Sequence, residues 1–466
     1  MPRESLNARA EDRPESRWGP HRDRKQTTLT TSPLIKTALP GPLATEVLAR
    51  DSAVTSPSLP RAYPLVPQRG RGASVEDVDG NIFLDFNAGI AVSSTGHAHP
   101  TVVEAVRRQA GEILHYSASD FYLPIYSEMC AALRDVAPIS GPTRVFLSNS
   151  GAEAVEAALK LARYATKRPY VISFYGAFHG RTMGALTLTD SKAKYHKGFG
   201  PLLPGVLHAP YADPRRTASG DRDTATVDFL RDTLFRYEVD PTEVAAIFVE
   251  PIQGEGGIIV PADGWMEDLR ELCDEFSILL VADEVQSGIG RTGKMWAIEH
   301  TSVEPDIVTS AKGLASGLPL GAVIAREEIM TAWGPGAHGS TYGGSPVPCA
   351  AGLATLEVIR SENLLENSAN LGAYLLEGLR KLQADKPDAV RDVRGVGLFI
   401  GVEFPDGQVA NAVQNRCFEK GLLVLEAGEN VVRMTPPLVL TAQEAETGLR
   451  LFSDTVSEIS GEGSPR

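Results

Sequence analysis

The sequence contains few of the residues that mark several protein classes. It has only four cysteines among 466 residues, and Cys130, Cys273, Cys349 and Cys417 lie far apart. They form no C-x-x-C pair and have no histidine at ligand spacing. The pattern therefore argues against a disulfide framework and predicts no metal site. We expect these thiols to be buried and reduced, as in a cytoplasmic protein.

Basic charge and long apolar runs are also scarce. The 45 Lys and Arg residues are outnumbered by 59 Asp and Glu residues, which gives a net charge of −14. Nucleic-acid binding draws much of its affinity from Lys and Arg contacts with phosphates, so we predict no nucleic-acid partner. No apolar run approaches the roughly 18 to 20 residues that a membrane span needs, so we predict no membrane association. The composition suits a globular enzyme that acts on a small molecule.

Residues 1–32 differ from the rest of the chain. They alternate acidic and basic groups and contain almost no large apolar residue. Such a segment cannot bury enough surface to offset its chain entropy, which predicts a disordered tail. The alternative, a transit peptide, is disfavoured because those peptides avoid acidic residues.

From about residue 75 to 350, short β-branched runs alternate with helical periods. The runs VISFY, AAIFVEP, SILLVADEV, DIVTSAK and PLGAVIA suit buried strands, whereas DGWMEDLRELCDEF has helical periodicity. This alternation predicts an α/β domain with a parallel or mixed sheet. After residue 350, a long helical stretch, CAAGLATLEVIRSENLLENSANLGAYLLEGLRKLQ, precedes LFIGVEF, LLVLEA and VVRMTPP. That order indicates a smaller α+β domain.

The segment ADEVQSGIGRTGK contains Gly288, Gly290 and Gly293 in the pattern G-x-G-x-x-G. A dinucleotide site needs these glycines directly after a strand and at the start of a helix. Here Asp283 and Glu284 come first, where they would repel a phosphate, and no convincing helix follows. We therefore interpret Asp283, at the carboxyl end of a strand, as the functional residue of the segment.

Asp283 has a natural partner in Lys312, which follows the apolar strand DIVTS. A lysine partly desolvated at a strand end can have a lowered pKa and form a Schiff base. Pyridoxal 5'-phosphate requires this lysine together with a carboxylate at its pyridinium nitrogen. Ser150, Gly151 and Ala152 precede an amphipathic helix whose first amides could bind the phosphate. Each feature alone has an ordinary structural explanation, and the combination is much more specific.

From about residue 35 to 460 the chain resembles the class III pyridoxal-phosphate-dependent aminotransferases of fold type I, and most of all their 4-aminobutyrate aminotransferase branch. The resemblance rests on SNSGAEA, AFHGRT, VEPIQGEGG, ADEVQSGIGRTG, SAKGLASGLPLGA, HGSTYGGSP and VVRMTPP. It implies a large cofactor-binding domain over residues 96–350 with a mostly parallel seven-stranded sheet. It also implies a small domain formed by residues 33–95 and 351–466. The family further implies a homodimer with shared active sites, with pairing into a tetramer left open.

The resemblance also implies roles for residues near the cofactor. Lys312 would form the Schiff base and shuttle the proton, and Asp283 would keep the ring nitrogen protonated. Phe178 would complete this catalytic set by stacking on one ring face, with Val285 on the other. The implied cofactor contacts are Ser150, Gly151, Ala152, Phe178, His179, Asp283, Val285, Gln286, Lys312 and Thr341 of the partner subunit.

Two arginines are implied in substrate binding. Arg433 would hold an α-carboxylate bidentately, and Arg181 would hold the distal carboxylate of 4-aminobutyrate or 2-oxoglutarate. With an ω-amine bound, a buried and unpaired Arg433 would cost about 3–5 kcal/mol. Glu255 would cover it by a salt bridge and then swing away. The alternative is that Glu255 and Arg433 form only a structural ion pair.

The identity of the amino donor depends on Ile90. Ornithine aminotransferases typically carry a tyrosine at the matching position, and an apolar side chain offers no partner to an α-ammonium. This favours an ω-amino acid such as 4-aminobutyrate, with 2-oxoglutarate as acceptor. Ornithine aminotransfer and amino-acid racemisation stay open because similar proteins share the motifs. A regulatory module that binds the cofactor without catalysis is disfavoured, since Lys312 and Asp283 are both present.

Overall fold

We describe the protein from a computed structural model, in which residues 32–216 and 225–461 are described. The disordered tail predicted for residues 1–32 lies outside the described residues except for Ser32. Among the described residues, no helix combines the length and the apolar character that a membrane crossing demands.

The strands fall into three sheets. In chain order they are β1 (Pro67–Arg71), β2 (Ser74–Asp77), β3 (Ile82–Asp85), β4 (Thr143–Ser148), β5 (Tyr170–Phe174), β6 (Val206–Ala209), β7 (Val244–Val249), β8 (Leu279–Asp283), β9 (Ile307–Ser310), β10 (Gly321–Arg326), β11 (Asp392–Val396), β12 (Phe399–Glu403), β13 (Leu422–Leu423), β14 (Leu425–Ala427) and β15 (Val431–Met434).

The helices cover these sheets or connect their strands. They are α1 (Pro42–Val54), α2 (Ala88–Ala91), α3 (Pro100–Glu112), α4 (Pro124–Asp135), α5 (Gly151–Thr166), α6 (Met183–Leu188), α7 (Ala225–Phe229), α8 (Trp265–Phe276), α9 (Glu327–Met330), α10 (Pro346–Ser361), α11 (Leu364–Asp385), α12 (Gly407–Glu419) and α13 (Ala442–Gly461). A π-helical segment, Leu230–Glu238, continues α7.

The largest sheet has seven strands in the order β4-β10-β9-β8-β7-β5-β6. Strand β10 is antiparallel to both of its neighbours, and the remaining pairs are parallel. Every residue of β7 is buried, as expected for a central strand covered on both faces. The predicted α/β fold with a mostly parallel seven-stranded sheet is therefore confirmed. Because β4, β5, β7, β8 and β9 run in the same direction, their carboxyl ends meet at one edge of the sheet.

The two other sheets have four strands each, in the orders β1-β2-β3-β13 and β11-β12-β15-β14. Strand β13 pairs in parallel with β3, so that Leu422 lies beside Leu84. This pairing joins the N-terminal and C-terminal parts of the chain. The domain boundaries at residues 95 and 350 remain predictions.

The helical stretch after residue 348 is not continuous. Helix α10 ends at Ser361 and α11 begins at Leu364, with Asn363 between them at φ +53°. Asparagine tolerates this left-handed conformation better than most residues. Helical periodicity alone did not reveal the break, because apolar positions continue on both sides of it.

The glycines of the G-x-G-x-x-G pattern serve packing. Gly290 and Gly293 have φ values of +85° and +89°. A Cβ atom at Gly293 would lie 2.9 Å from the Cβ of Ala369 in α11, and one at Gly290 would lie 2.9 Å from Leu438 Cδ1. No described helix begins within this run, which agrees with the rejection of a dinucleotide site.

Candidate active site

The carboxyl edge of the seven-stranded sheet borders a pocket of about 440 Å³. Ten of the residues predicted from the sequence line it: Ser150, Gly151, Ala152, Phe178, His179, Arg181, Asp283, Val285, Gln286 and Lys312. Each follows one of the strands β4, β5, β8 and β9 or ends it, which is why separate motifs meet at this place. Ile90, Glu255, Thr341 and Arg433 are not among the lining residues.

Asp283 ends β8 and is 3% exposed. Its Oδ2 atom lies 2.6 Å from Nδ1 of His179, and its Oδ1 atom accepts hydrogen bonds of 3.0 Å from the Val285 amide and the Thr309 hydroxyl. Burial opposes the charged form of His179, but the hydrogen bond and negative charge of Asp283 outweigh it and raise the pKa of His179. The pair therefore keeps a buried carboxylate in a fixed orientation.

Lys312 follows β9 and has a backbone φ of +45°. A non-glycine residue in this region is strained, and such strain is common at active sites. Burial, and next the positive charge of Arg433, lower the pKa of Lys312 to about 8, although nearby carboxylates offset part of the effect. About a tenth of the amine is thus unprotonated at pH 7, far more than for an ordinary lysine with a pKa of about 10.4.

The N-terminus of α5 faces the same pocket. The Ser150 hydroxyl caps the helix by accepting a 3.2 Å hydrogen bond from the Glu153 amide. Among the described residues, the amides of Gly151 and Ala152 have no hydrogen-bond acceptor. A Cβ atom at Gly151 would lie 2.7 Å from Val285 Cγ1, so only glycine lets Val285 approach the helix this closely. Two free amides and a helix dipole form a favourable anion site.

Glu250 is a site residue that sequence reasoning missed. It follows β7 and is buried at 4% exposure. Its carboxylate accepts hydrogen bonds from the amides of Phe178, at 2.8 Å, and Gly254, at 2.9 Å. Burial raises its pKa to about 7. Its position directly after an apolar strand, like that of Asp283, was the signal that could have identified it.

Arg433 lies in β15 and is 3% exposed. Its Nη1 atom donates a 2.9 Å hydrogen bond to Oε1 of Gln286 and lies 3.5 Å from Oε2 of Glu255. Among the described residues its Nε atom has no partner. Burial lowers the pKa of Arg433, and the charge of Glu255 opposes that shift. Arg433 is thus connected to the pocket by its hydrogen bond to Gln286, which lines the pocket, and Glu255 lies beside Arg433.

The other predicted substrate and partner residues are more exposed. The Arg181 guanidinium lies 4.9 Å from the ring centroid of Tyr195 and 5.9 Å from that of Phe178. Ile90 is 44% exposed, on the α2 turn, where it has φ +70°. Thr341 is exposed and lies next to Ser340, whose hydroxyl accepts a 3.2 Å hydrogen bond from the Asn149 amide group.

The chemistry of these groups fits pyridoxal 5'-phosphate. The free amides at the N-terminus of α5 suit its phosphate, the buried carboxylate of Asp283 suits a protonated ring nitrogen, and the Lys312 amine suits its aldehyde. Phe178 and Val285 both line the pocket, where apolar groups would contact the ring. The fold and the pocket together define a pyridoxal-phosphate-dependent enzyme.

Comparison with known families identifies the class more closely. The family model for aminotransferase class-III matches residues 57–456. The chain belongs to this family, and the predicted resemblance and cofactor are confirmed.

The relatives in this family differ in activity. An acetylornithine aminotransferase from Caldanaerobacter subterraneus subsp. tengcongensis is 43% identical, over 85% of this chain and 96% of its own. An alanine/serine racemase from Pyrococcus horikoshii is 39% identical, over 93% of this chain and 94% of its own. The 4-aminobutyrate aminotransferase GabT from Escherichia coli is also 39% identical, over 89% of this chain and 98% of its own.

A solved structure shares the fold. The ornithine aminotransferase from Toxoplasma gondii ME49 superimposes with a TM-score of 0.82 at 32% identity, over 92% of this chain and 97% of that one. Overall similarity therefore establishes the family and the fold, whereas the choice of substrate depends on individual residues.

Proposed function

We propose that the protein transfers the amino group of an ω-amino acid, with 4-aminobutyrate favoured, to 2-oxoglutarate. The observation that carries this proposal is the position of the Glu255 carboxylate, 3.5 Å from the buried guanidinium of Arg433. The site thus has one arginine, Arg181, that lines the pocket and is open to a carboxylate, and a second, Arg433, beside the pocket that Glu255 already covers. An ω-amino acid has one carboxylate to place and 2-oxoglutarate has two.

The residues at the strand ends carry the chemistry. Bound pyridoxal phosphate supplies an electron sink for the electron pair of the substrate C–H bond. Lys312 holds the cofactor and then moves the proton through its Nζ atom, for which a pKa of about 8 is well matched. Asp283, oriented by His179 and Thr309, keeps the ring nitrogen protonated.

The remaining contacts position the cofactor. Gly151 and Ala152 would donate their amides to its phosphate, and Ser150 fixes the start of the helix that presents them. Phe178 and Val285 would hold the ring between them, and Gln286 would contact its phenolic oxygen; all three line the pocket. This last role is shared, because Gln286 also accepts a hydrogen bond from Arg433.

The two half-reactions differ at Arg433. With 4-aminobutyrate bound, Arg181 holds the single carboxylate and Glu255 covers Arg433. With 2-oxoglutarate or glutamate bound, Arg181 holds the distal carboxylate, Glu255 moves away and Arg433 takes the α-carboxylate bidentately. The Arg433 guanidinium suits this exchange because its Nε donor has no partner among the described residues.

Amino-acid racemisation is a second candidate. It is supported by the 39% identity to the Pyrococcus horikoshii alanine/serine racemase over 93% of this chain. Racemisation uses the same lysine and differs in where the proton returns to the substrate.

Ile90 gives no reason to prefer ornithine as the amino donor, because an apolar side chain cannot pair with an α-ammonium.

We also propose that the active sites are shared across a homodimer, in which Thr341 of the partner subunit contributes its hydroxyl to the phosphate. Thr341 is exposed and does not line the pocket of its own chain. Both observations are compatible with a contact across an interface.

A half-reaction assay tests the proposal. The purified holoenzyme is mixed separately with 4-aminobutyrate, L-ornithine and L-leucine, and the absorbance of the bound cofactor is followed. We expect conversion to the pyridoxamine form with 4-aminobutyrate and its reversal by 2-oxoglutarate. Rapid conversion by ornithine alone would favour the ornithine branch. Loss of optical rotation in leucine, without conversion, would identify a racemase.

A further inference from the structure

Glu255 has two partners besides Arg433. Its Oε1 atom lies 3.4 Å from Nζ of Lys192 and 3.2 Å from the hydroxyl of Tyr195. Its other oxygen, Oε2, is the atom that lies 3.5 Å from Arg433. The carboxylate is therefore between a buried arginine on one side and a lysine and a tyrosine on the other.

These distances indicate a carboxylate that no single partner holds tightly. Charge-assisted hydrogen bonds are normally about 2.7–2.9 Å long, whereas all three contacts of Glu255 are longer. The side chains of Glu255 and Lys192 are 19% and 23% exposed, so their attraction is partly screened by solvent. A small movement can thus shift the balance between the two sides.

The backbone beside Glu255 is more firmly held than its side chain. The Glu255 carbonyl accepts a 2.7 Å hydrogen bond from the Gly428 amide. The preceding residue, Gly254, donates its amide to the buried Glu250 at 2.9 Å. A shift of the carboxylate therefore needs only side-chain rotation.

Lys192 and Tyr195 belong to one short segment, which includes the 3-10 turn Ala193–Tyr195. The Tyr195 ring also contacts the Arg181 guanidinium at 4.9 Å and the Phe178 ring at 5.8 Å. The segment therefore contacts both the carboxylate of Glu255 and the arginine proposed to hold the distal carboxylate of the substrate.

We propose that Lys192 and Tyr195 form the site that receives Glu255 when the α-carboxylate of a substrate occupies Arg433. This inference rests on the proposed exchange at Arg433 and adds the residues that make it reversible. A carboxylate displaced from Arg433 without a new partner would oppose binding of every α-amino acid and 2-oxo acid. Lys192 and Tyr195 remove that obstacle, so they act as specificity-determining residues for the α-carboxylate half-reaction.

The test compares Lys192→Met and Tyr195→Phe with the wild-type holoenzyme in single-turnover half-reactions. We expect the rate with L-glutamate to fall about tenfold in each variant, since each loses a hydrogen bond to a charged group. The rate with an ω-amino acid should stay within about twofold, because Glu255 keeps its contact with Arg433 in that half-reaction even when Lys192 or Tyr195 is changed. The matched control is Lys197→Met, because Lys197 is an exposed lysine of the same segment for which the described residues contain no ion pair.

A binding measurement separates this role from a merely structural one. Calorimetry with glutarate, a non-reacting diacid, should show about tenfold weaker binding to Lys192→Met and unchanged binding to Lys197→Met. In a Glu255→Ala background the Lys192→Met change should lose its effect, because the group that Lys192 receives is absent. Equal losses in both half-reactions, or an undiminished effect of Lys192→Met in the Glu255→Ala background, would overturn the proposal.

The same experiments distinguish a failure of the proposed function. If the wild-type holoenzyme converts no ω-amino acid, the proposed donor class is wrong. The comparison of glutarate binding in the Lys192→Met, Glu255→Ala and doubly substituted proteins then still decides whether Lys192 receives the carboxylate of Glu255. If the wild type does convert an ω-amino acid but the variants lose both rates equally, the donor class stands and this inference fails.

Discussion

The two sides of the pocket are built differently. The strand-edge side, formed by Asp283, His179, Lys312 and the N-terminus of α5, holds its carboxylate, Asp283, with three hydrogen bonds of 2.6–3.0 Å. The carboxylate side, formed by Arg181 in the pocket and by Lys192, Tyr195, Glu255 and Arg433 beside it, contains the 3.2–3.5 Å contacts of Glu255. The first side derives from the ends of four strands of one sheet, β4, β5, β8 and β9, and the second from loops and another sheet.

This difference matches two chemical demands. A cofactor bound throughout the cycle needs one fixed geometry, and preorganised polar groups provide it at no cost during the reaction. Substrates with one or two carboxylates need a site that rearranges between them. Substitutions on the strand-edge side should therefore lower the rates with all substrates alike, whereas those on the carboxylate side should change the ratio between the rates with different substrates.

The largest effect is expected from Lys312→Ala. Without the amine there is no group to hold the cofactor covalently or to move the proton, so turnover should fall by roughly 10³-fold or more with every donor. Single-turnover kinetics with 4-aminobutyrate and with L-glutamate provide the measurement. Lys197→Ala, on an exposed lysine, is the control. Full turnover in Lys312→Ala would refute the assigned mechanism.

Asp283→Asn should have the next largest effect. The change keeps the size of the side chain but removes the charge that stabilises a protonated ring and the His179 pair. We expect turnover to fall about 10²-fold or more for ω-amines and α-amino acids alike. The pKa of His179, measured by NMR titration, should fall because the Asp283 carboxylate raises it. A loss confined to one substrate class would contradict the proposed division of the pocket.

A pH series tests the state of Lys312 directly. Only the unprotonated amine can attack the cofactor, and its pKa is lowered to about 8. Capture of pyridoxal phosphate by the apoenzyme should therefore accelerate about tenfold per pH unit below 8 and level off above it. Stopped-flow absorbance between pH 6 and 10 measures this profile. A plateau reached only near pH 10 would show an amine with an ordinary pKa.

Gly151→Ala should weaken cofactor binding moderately. The new methyl group would lie 2.7 Å from Val285 Cγ1, which forces Val285 or the helix N-terminus to shift at a cost of about 1–3 kcal/mol. We expect roughly tenfold weaker binding of pyridoxal phosphate by equilibrium titration. Gly151→Ala combined with Val285→Ala should recover part of the loss, because the clash is relieved. Absence of recovery would place the defect elsewhere.

The smallest effect is expected from Glu255→Ala. It should appear as a change in the ratio of the rates with 4-aminobutyrate and with L-glutamate. Arg433 loses its cover only when an ω-amine is bound, so the rate with 4-aminobutyrate should fall more than the rate with L-glutamate, by about tenfold. The loss of rate should correspond to less than the full free-energy cost of removing one partner of a buried salt bridge, because Gln286 still accepts a hydrogen bond from Arg433. Equal losses for both substrates would remove the exchange hypothesis and leave a structural ion pair.

The two sides also differed in how far sequence could predict them. Asp283 and Lys312 each follow an apolar strand, and the start of α5 is signalled by Ser150 and Gly151, so these residues have local signatures. Tyr195 and Lys192 lie in a segment without periodicity, and they meet Glu255 only through the tertiary fold. Predicting such contacts from one sequence requires the path of the loops, which amphipathic patterns do not contain.

The fold shows the same limit. The runs of β-branched residues predicted the buried strands of the large sheet, because burial on both faces leaves a continuous apolar signature. The pairing of β13 with β3 has no such signature, since it joins only Leu84 and Asp85 to Leu422 and Leu423. The left-handed Asn363 between α10 and α11 was similarly hidden within continuous helical periodicity.

The pairing of β3 with β13 has a consequence for synthesis of the chain. Leu422 and Leu423 leave the ribosome 338 residues (422 − 84) after their partners Leu84 and Asp85. At roughly 5–20 residues per second, the interval lasts on the order of tens of seconds. During this time the β3 edge exposes unpaired backbone groups and apolar side chains, which are the features that chaperones recognise on nascent chains.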